Sequence, residues 1–411
     1  MSARILIITN GHLCRNPRTE KEARTLGLAG YDVTVLHVCN HAPSQILDDR
    51  LASGAPFRRE VVNLLRQGGW PALRRRLTGW LARQTTGRFG WQSLGALGPA
   101  GSLLRRARQL PADLTIVHNE VAHGVGLRLH AAGRLVSADI EDWHSEDLLP
   151  VDRRQRPLAL LRAQEKALLR DLVHTTTTSH ALADGLQARN GGKRPSVIAN
   201  SFPLQPKPRN FRAAGDDAPT FFWFSQRLGP GRGLEAFLAA WRDTTLPSRV
   251  VLVGDPQVGY REQLLESLPV DRRPFVLFRD CVPPADLPAL IAEHDIGLAL
   301  EQSTIPSRDL TITNKILQYL NAGLAVVASD TAGQREVLAR APEAGLLVSL
   351  HQTAAFTMAL TSLLTDRAAL SRRQHLARRL AEEVYCWEKE APRLIPLVEA
   401  ALASRQTRGS V

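Results

Sequence analysis

Short apolar runs alternate with helix-like patterns along most of this 411-residue chain. Strand-like runs occupy residues 5–9, 33–38, 114–118, 135–140, 175–179 and 197–200, with helical patterns at 19–29 and 158–172. The alternation restarts with runs at residues 221–225, 250–253, 275–278, 296–300, 325–329 and 346–348. Such alternation is typical of parallel β-α-β units. The sequence therefore predicts an α/β protein with two Rossmann-like, doubly wound parallel sheets.

A segment rich in proline separates the two series of runs. It contains Pro203, Pro206, Pro208 and Pro219, together with Gly215 and two aspartates, and this composition disfavours helix and strand alike. A chain of this length also suits two domains of about 200 residues rather than one core. We predict an N-terminal domain at 1–203, a linker at 204–219, a C-terminal domain at 220–386 and a cleft between the domains. The helical tail at 366–404 is expected to break at Pro392, and its last part, 387–411, to cross back to the N-terminal domain.

The net charge of +12 is concentrated in residues 56–110. Leucines and tryptophans interleave with the arginines there, as in segments that dock on anionic lipid. A solvated basic face over an ordinary core helix is the alternative. Nucleic acid is not predicted as a partner, because no nucleic-acid-binding motif is present. Against the single acid Glu60, this basic segment contains Arg58, Arg59, Arg66, Arg74, Arg75, Arg76, Arg83, Arg88, Arg105, Arg106 and Arg108.

Cysteine usage and hydropathy suggest where the protein works. The four cysteines are scattered without a C-x-x-C pair, so neither a disulfide framework nor a thiolate metal site is predicted. The first apolar run is too short for a signal peptide, and no run is long enough to span a bilayer. We expect a cytoplasmic protein, with peripheral attachment to the inner face of the cell membrane if the basic segment binds lipid.

Two glycine-bearing turns are candidate ligand sites. Gly11 follows the first predicted strand, where sheets of this kind bind ligands, but no G-x-G-x-x-G is present, which disfavours a nicotinamide cofactor. The second turn, at residues 226–235, lies between a strand and a helix and carries Arg227 and Arg232. Two guanidiniums beside a helix N-terminus would form a diphosphate clamp. The alternatives are a simple turn glycine at Gly11 and two solvated loop arginines.

A block at residues 314–330 carries a more specific signal. It reads N-K-I-L-Q-Y-L-N-A-G followed by L-A-V-V-A-S-D and resembles a segment of retaining glycosyltransferase family 4, whose fold is GT-B. Other blocks match the same family in order, and together they cover nearly the whole chain outside residues 40–110. They are Asn16-Pro17-Arg18 with Lys21-Glu22-Ala23, and the segments 28–35, 113–118, 177–183, 197–200, 227–235 and 251–255.

The resemblance implies a donor site in the C-terminal domain. There Arg227 and Arg232 would bind the diphosphate of a nucleotide-sugar donor and stabilise the charge that develops on it. No Asp-x-Asp site is evident, so neither a metal nor another cofactor is expected. The family often has a glutamate at the position of Gln318, accepting hydrogen bonds from the donor ribose, and a second one eight residues earlier. Leu310 stands at that earlier position, beside Asp309, which either replaces the missing carboxylate or is a loop residue. Asn314 and Lys315 are further donor-binding candidates.

The N-terminal domain would contribute the acceptor side. His118 ends a strand and resembles a family histidine near the transferred sugar, although a buried histidine with a local partner is almost as well supported. Asp142 and His144 follow the next strand and, with Gly11, are candidate acceptor contacts.

The resemblance implies a metal-independent glycosyltransferase that acts with retention on a saccharide or lipid-linked acceptor, in cell-surface polysaccharide or glycolipid synthesis. A nucleotide-sugar 2-epimerase and a non-catalytic GT-B binding module are the rival hypotheses.

Overall fold

The computed structural model describes residues 2–65, 69–148, 153, 156–206 and 218–408. Most of the predicted linker, residues 207–217, and Arg66 of the basic segment therefore lie outside the described residues. Over the part that is described, no helix combines the length and the apolar character needed to cross a membrane. All four cysteines are free thiols.

The chain divides into two compact units. The first comprises Met1–Thr178, Leu182–Ile198 and Ala391–Val411, and the second comprises Ser179–Ala181 and Ala199–Glu390. The last helix accordingly begins in the second unit and continues in the first.

The first unit contains a parallel sheet with the strand order β3-β2-β1-β4-β5-β6-β7 within the described residues. Its strands are β1 (Arg4–Ile8), β2 (Asp32–Cys39), β3 (Arg58–Asn63), β4 (Leu114–His118), β5 (Val136–Ile140), β6 (Thr175–Thr177) and β7 (Ser196–Val197). Its helices are α1 (Pro17–Leu28), α2 (Ala42–Ala52), α3 (Gly69–Phe89), α4 (Ala100–Gln109), α5 (Asn119–Ala131), α6 (Leu158–Asp171) and α7 (His180–Asn190).

The second unit repeats this topology. Its described strands form a parallel sheet in the order β10-β9-β8-β11-β12-β13. They are β8 (Thr220–Leu228), β9 (Arg249–Pro256), β10 (Val276–Arg279), β11 (Ile296–Ala299), β12 (Ala325–Ser329) and β13 (Gly345–Val348). The helices are α8 (Leu234–Trp241), α9 (Tyr260–Glu266), α10 (Leu287–Ile291), α11 (Pro306–Leu310), α12 (Asn314–Ala322), α13 (Ala332–Leu338), α14 (Thr353–Thr365), α15 (Arg367–Glu383) and α16 (Trp387–Arg408).

Successive strand residues of the second unit point into two different cores. Phe221 and Trp223 of β8 pack in a cluster with α8 and α14, whereas Phe222 packs with α12 and α15 on the other face. A parallel sheet covered on both faces needs apolar residues at every strand position, which explains the continuous apolar runs of the sequence. The predicted α/β class with two doubly wound parallel sheets is confirmed.

Two local predictions need correction. Strand β3 was not predicted, because its sequence, R-R-E-V-V-N, is mostly polar and it lies at the edge of the sheet, where burial is partial. The helical tail does not break at Pro392. It breaks after Glu383, where Trp387 N donates to Phe202 O over 3.0 Å, and α16 then continues through both of its prolines.

Tertiary packing accounts for the continuity of α16. Leu394, Val398 and Ala401 are buried in the same core cluster of the first unit as β1, β2 and β4. A proline inside a helix costs about 3 kcal/mol, and each large buried apolar side chain contributes about 1.5–3 kcal/mol. The two prolines of α16 together cost about 6 kcal/mol, and the burial of Leu394 and Val398, with partial burial of Ile395 and Leu402, contributes an amount of the same size.

Candidate functional site

The loop that follows β8 turns through two glycines. Gly231 and Gly233 both have φ of +76°, a conformation that is readily available only to glycine. A Cβ at Gly233 would in addition lie 2.9 Å from the Cβ of Leu300. Leu234 begins α8 directly after Gly233, so the unpaired backbone amides of the first helical turn lie beside this loop.

Arg227 and Arg232 flank the same loop. Arg227 is exposed near the end of β8, in register with Asp255 of β9. Arg232 is half-buried within the loop. In the part of the chain that the structure describes, neither guanidinium has a hydrogen-bond or ion-pair partner. Two uncompensated cations beside a helix N-terminus are suited to an anionic ligand that accepts several hydrogen bonds.

Arg308 is a third arginine at this loop, and sequence analysis missed it. Its Nη1 donates to the carbonyl oxygen of Gly231 over 3.3 Å, which ties α11 to the turn. The residue lies 77 positions away in the sequence. Its proximity could not be read from spacing, although its place beside the candidate Asp309 was a weak signal.

Helix α12 presents three of the predicted donor-binding residues. Thr313 caps its N-terminus, and Gly323, with φ of +73°, ends it. Asn314, Lys315 and Gln318 are spaced by one to four residues, which places them on adjoining parts of one helix surface. All three candidate residues therefore belong to one helix, α12.

The charge of Lys315 is already compensated within the unit. Its Nζ lies 2.9 Å from Oε1 of Glu301, and both side chains are largely buried. The same Nζ lies 5.6 Å from the ring centroid of Trp223. Glu301, the second residue after the end of β11, was not singled out from the sequence, although an isolated carboxylate after an apolar strand was the available signal. Its backbone N–H donates to Ser329 Oγ over 2.7 Å.

The side-chain amides of Gln318 and Asn314 differ in the number of hydrogen bonds that they make within the protein. Gln318 is half-buried, and its amide has no partner among the described residues. Asn314 accepts a hydrogen bond from Asn200 Nδ2 over 3.0 Å, while its amide nitrogen stays available. Gln318 is therefore the group on this surface whose donors and acceptors are both free for a ligand.

The side chain of Asp309 is hydrogen-bonded to the N-terminus of helix α13. Its Oδ1 accepts a hydrogen bond from the backbone N–H of Ala332, the first residue of α13, over 3.2 Å. A carboxylate at a helix N-terminus is stabilising because it neutralises the partial positive charge there. One oxygen of Asp309 thus has a structural role, and only the other is left for a sugar hydroxyl.

His118 lies in a buried charged network of the first unit. Its Nε2 lies 2.5 Å from Glu22 Oε2, and its Nδ1 is 3.8 Å from Asp139 Oδ1. Arg18 donates to both oxygens of Asp139, over 2.9 and 2.6 Å. Burial would lower the pKa of His118, but the carboxylates of Glu22 and Asp139 outweigh burial and raise it. A role of His118 at the transferred sugar would use Nδ1, which has no hydrogen-bond partner within the described residues.

The turn after β1 contains Gly11. A Cβ there would lie 2.8 Å from Asn16 Nδ2, which itself donates to His12 O over 2.7 Å, so a larger residue would have to displace the Asn16 side chain. The turn is also tied to the end of β4, because Asn119 accepts from the N–H of Asn10 and donates to Thr9 Oγ1. Asn119 has φ of +62°, the one positive value among the described non-glycine residues. Such strain persists where the surrounding contacts impose it, often at functional sites.

Asp142 and His144 follow β5 in a group of ionisable side chains. Burial, together with the carboxylates of Glu141 and Asp147, raises the pKa of Asp142 well above its usual value. His144 Nδ1 lies 3.5 Å from Glu120 Oε2. Asp142 therefore tends towards the neutral acid, which can donate as well as accept a hydrogen bond.

Comparison with known proteins gives a family match for the second unit. Residues 219–366 match the family model described as "Glycosyl transferases group 1". No curated protein sequence matches the chain at a significant level.

Solved structures match almost the whole chain at low sequence identity. Sucrose-phosphate synthase from Thermosynechococcus elongatus is 15% identical, with 98% of this chain and 100% of that chain covered and a TM-score of 0.71. HepE of Anabaena in complex with UDP-glucose is 17% identical over 97% and 100% of the two chains, with a TM-score of 0.67. A TarM variant of S. aureus, in complex with fondaparinux, α-GlcNAc-glycerol and UDP, is 9% identical over 96% and 99%, with a TM-score of 0.66. The fold is GT-B, and the group 1 glycosyltransferase domain marks the chain as a transferase enzyme.

Proposed function

We propose that this protein transfers a sugar from a nucleoside-diphosphate donor to a saccharide or lipid-linked acceptor. The observation that carries the proposal is the pair Arg227 and Arg232 at the glycine loop before α8, which have no partner among the described residues. Breaking the glycosidic bond of such a donor leaves negative charge on the diphosphate, and cations fixed beside it lower the barrier. The ligands UDP-glucose and UDP, bound in two structural neighbours, both carry a diphosphate, which supports a diphosphate site at this loop.

The same arrangement supports a reaction without an obligatory metal. Two carboxylates near the loop are engaged elsewhere: Glu235 accepts a hydrogen bond from Tyr260, and Glu301 pairs with Lys315. The positive charge of the two loop arginines is therefore left for the ligand. We assign to them the stabilisation of the leaving group that a metal ion supplies in other transferases.

Gln318 is assigned to the donor ribose, with Asn314 and Asp309 as further donor contacts. An uncharged amide accepts a weaker hydrogen bond than a carboxylate does, by about 1 kcal/mol. This position should therefore limit donor affinity in the present chain. Because Lys315 pairs with Glu301, we assign to Lys315 the positioning of α12 within the donor site.

Replacing Gln318 with glutamate is expected to lower the Kd of the donor about fivefold, because the ribose hydroxyls would then donate to a charged acceptor. Gln318→Ala should raise that Kd by a similar factor. Isothermal titration with the donor or with the free nucleoside diphosphate measures both changes. An unchanged Kd in both variants would remove Gln318 from the donor site.

The acceptor is assigned to the first unit, with Gly11, Asp142 and His144 as its contacts. The neutral form of Asp142 can donate to a sugar oxygen, and the strained turn at Asn119 fixes the loop that carries Gly11. Retention of configuration and a place in cell-surface polysaccharide or glycolipid synthesis, at the cytoplasmic side of the membrane, are supported by the resemblance to family 4.

Release of nucleoside diphosphate from a panel of UDP-, GDP- and ADP-sugars tests the function. Each donor is incubated with the purified full chain in EDTA, with and without a membrane extract that supplies acceptors. We expect release from one donor, increased by the extract. A change of the sugar to its isomer without release would indicate an epimerase, and a donor that binds but stays intact would indicate a binding module. Either result would overturn the proposal.

A further inference from the structure

Helix α3 packs on the first unit through its smallest side chains. The Cβ of Ala82 would lie only 3.8 Å from a Cβ at Gly95, so the two residues are close. Gly79 faces the carbonyl oxygen of Gly95. Thr86 Oγ1 donates to Trp91 O over 2.7 Å. These three residues of α3 lie within one narrow sector of the helix, as their spacing requires.

The opposite sector of α3 carries large apolar side chains in solvent. Trp70 is 73% exposed and Trp80 is 52% exposed. A helix of a globular unit normally turns its large apolar residues inward, and clusters of large exposed apolar side chains mark interaction sites. The exposed residues on or next to α3 are Leu65, Trp70, Leu73, Leu77, Trp80, Leu81, Phe89 and Trp91.

Arginines border this apolar sector, and no acid opposes them. The sequence has no aspartate or glutamate between Glu60 and Asp113. Arg74, Arg76, Arg83 and Arg88 of α3 are exposed and have no ion pair within the described residues.

Three arginines of the basic segment outside α3 are neutralised instead. Arg58 pairs with Asp32, Arg59 with Asp49 and Arg106 with Glu60. Arg105 and Arg108 of α4 are exposed and, like the four arginines of α3, have no ion pair within the described residues. Of the described exposed arginines of the segment that lack an ion pair, four therefore lie on α3 and two on α4.

We infer that α3 docks on the surface of a membrane that contains anionic lipid, lying in the interface with its large apolar side chains inserted. Tryptophan and leucine supply apolar area for the acyl boundary, and arginines at the rim meet lipid phosphates. The unbalanced positive charge favours this occupant over a second copy of the chain, because two such faces would repel each other. The inference does not depend on the transferase reaction, since lipid binding needs no donor.

Sedimentation of the full chain with sucrose-loaded vesicles tests the inference. The vesicles contain phosphatidylcholine alone or phosphatidylcholine with phosphatidylglycerol. We expect binding to the anionic vesicles that weakens as salt is raised, and weak binding to the zwitterionic ones. Trp70→Ala and Trp80→Ala should each reduce the partition coefficient about tenfold. Arg74→Gln and Arg76→Gln should each reduce it about fivefold at low salt, on anionic vesicles only.

Matched controls lie on the second unit. Val270→Ser and Met358→Ser remove apolar side chains that are equally exposed, and Arg372→Gln and Arg379→Gln remove exposed charges. Partitioning of these variants should equal that of the wild type. Absence of anionic-vesicle binding, or equal losses in control and α3 variants, would overturn the inference. Sedimentation velocity without lipid tests whether a second copy of the chain binds this face instead. A dimer that Trp80→Ala converts to a monomer would show that it does.

Discussion

Replacement of Asp139 with alanine is expected to destabilise the first unit by about 3–5 kcal/mol, the usual cost of leaving one partner of a buried ion pair uncompensated. Arg18 and Asp139 are almost fully buried, with 4% and 3% of their side chains exposed. Asp139 also accepts a hydrogen bond from Thr176 over 2.6 Å. The substitution would leave the guanidinium of Arg18 with one carbonyl partner, Ile198 O at 2.8 Å.

The direction of the pKa shift of Asp139 determines the pH range in which the buried ion pair stabilises the unit. Burial opposes its ionisation, but Arg18 and His118 outweigh burial and lower its pKa below the usual value. A depressed carboxylate pKa contributes stability above the unfolded-state pKa of about 3.9, and this contribution is lost as the pH falls through the folded-state value. The full effect of Asp139→Ala is therefore present at pH 7.

Hydrogen–deuterium exchange followed by mass spectrometry measures the effect within one unit, which a single global melting curve of a two-unit chain does not. Exchange should accelerate in peptides from β4 and β5 and stay unchanged in those from β11 and β12. Asp184→Ala is the matched control, because Asp184 and Arg194 have the same 2.6 Å separation but are 66% and 37% exposed. An exposed pair contributes about 0–1 kcal/mol. Equal exchange in the two variants would show that the buried network does not stabilise the unit.

Strands buried on both faces left the clearest pattern in the sequence. The strands β4 and β12 coincide with the predicted runs at 114–118 and 325–329, since a fully buried strand leaves no polar position to interrupt the pattern. Strand β3 was not predicted because its exposed residues interrupt that pattern. The break in the helical tail was predicted at Pro392 from the presence of proline alone. The core contacts of Leu394 and Val398 involve strands distant in the sequence, so they could not be predicted locally.

The candidate site divides in the same way. The glycine loop and α12 are continuous stretches, so their residues were identified together. The partners of Lys315 and Asp309, namely Glu301 and the N–H of Ala332, come from other parts of the chain, and nothing in the local sequence indicated these pairings. The network around Asp139 was missed for a related reason: Arg18 and Glu22 are spaced as neighbours on an exposed helix face would be, yet α1 buries both against the sheet.

Loss of either loop arginine is expected to lower kcat/KM for sugar transfer by about 10²–10³, the usual effect of removing one group that stabilises developing charge. The two losses should not add fully, because both side chains act on the same diphosphate. Initial rates of nucleoside-diphosphate release for Arg227→Ala, Arg232→Ala and the double variant provide the measurement. Arg242→Ala is the control, since Arg242 is an exposed arginine of the same unit paired with its neighbour Asp243.

The two arginines should differ in a definite direction. Arg232 is half-buried beside the N-terminus of α8, whereas Arg227 is exposed at the end of β8. Charge interactions strengthen as solvent is excluded, so Arg232→Ala should cost more in kcat than Arg227→Ala, whose effect should fall further as salt is raised. Arg232→Lys should recover only part of the loss, because an ammonium keeps the charge but not the two-pronged hydrogen bonding. A kcat/KM within about threefold of wild type in both alanine variants would place the diphosphate elsewhere, since such a ratio corresponds to less than about 1 kcal/mol of transition-state stabilisation.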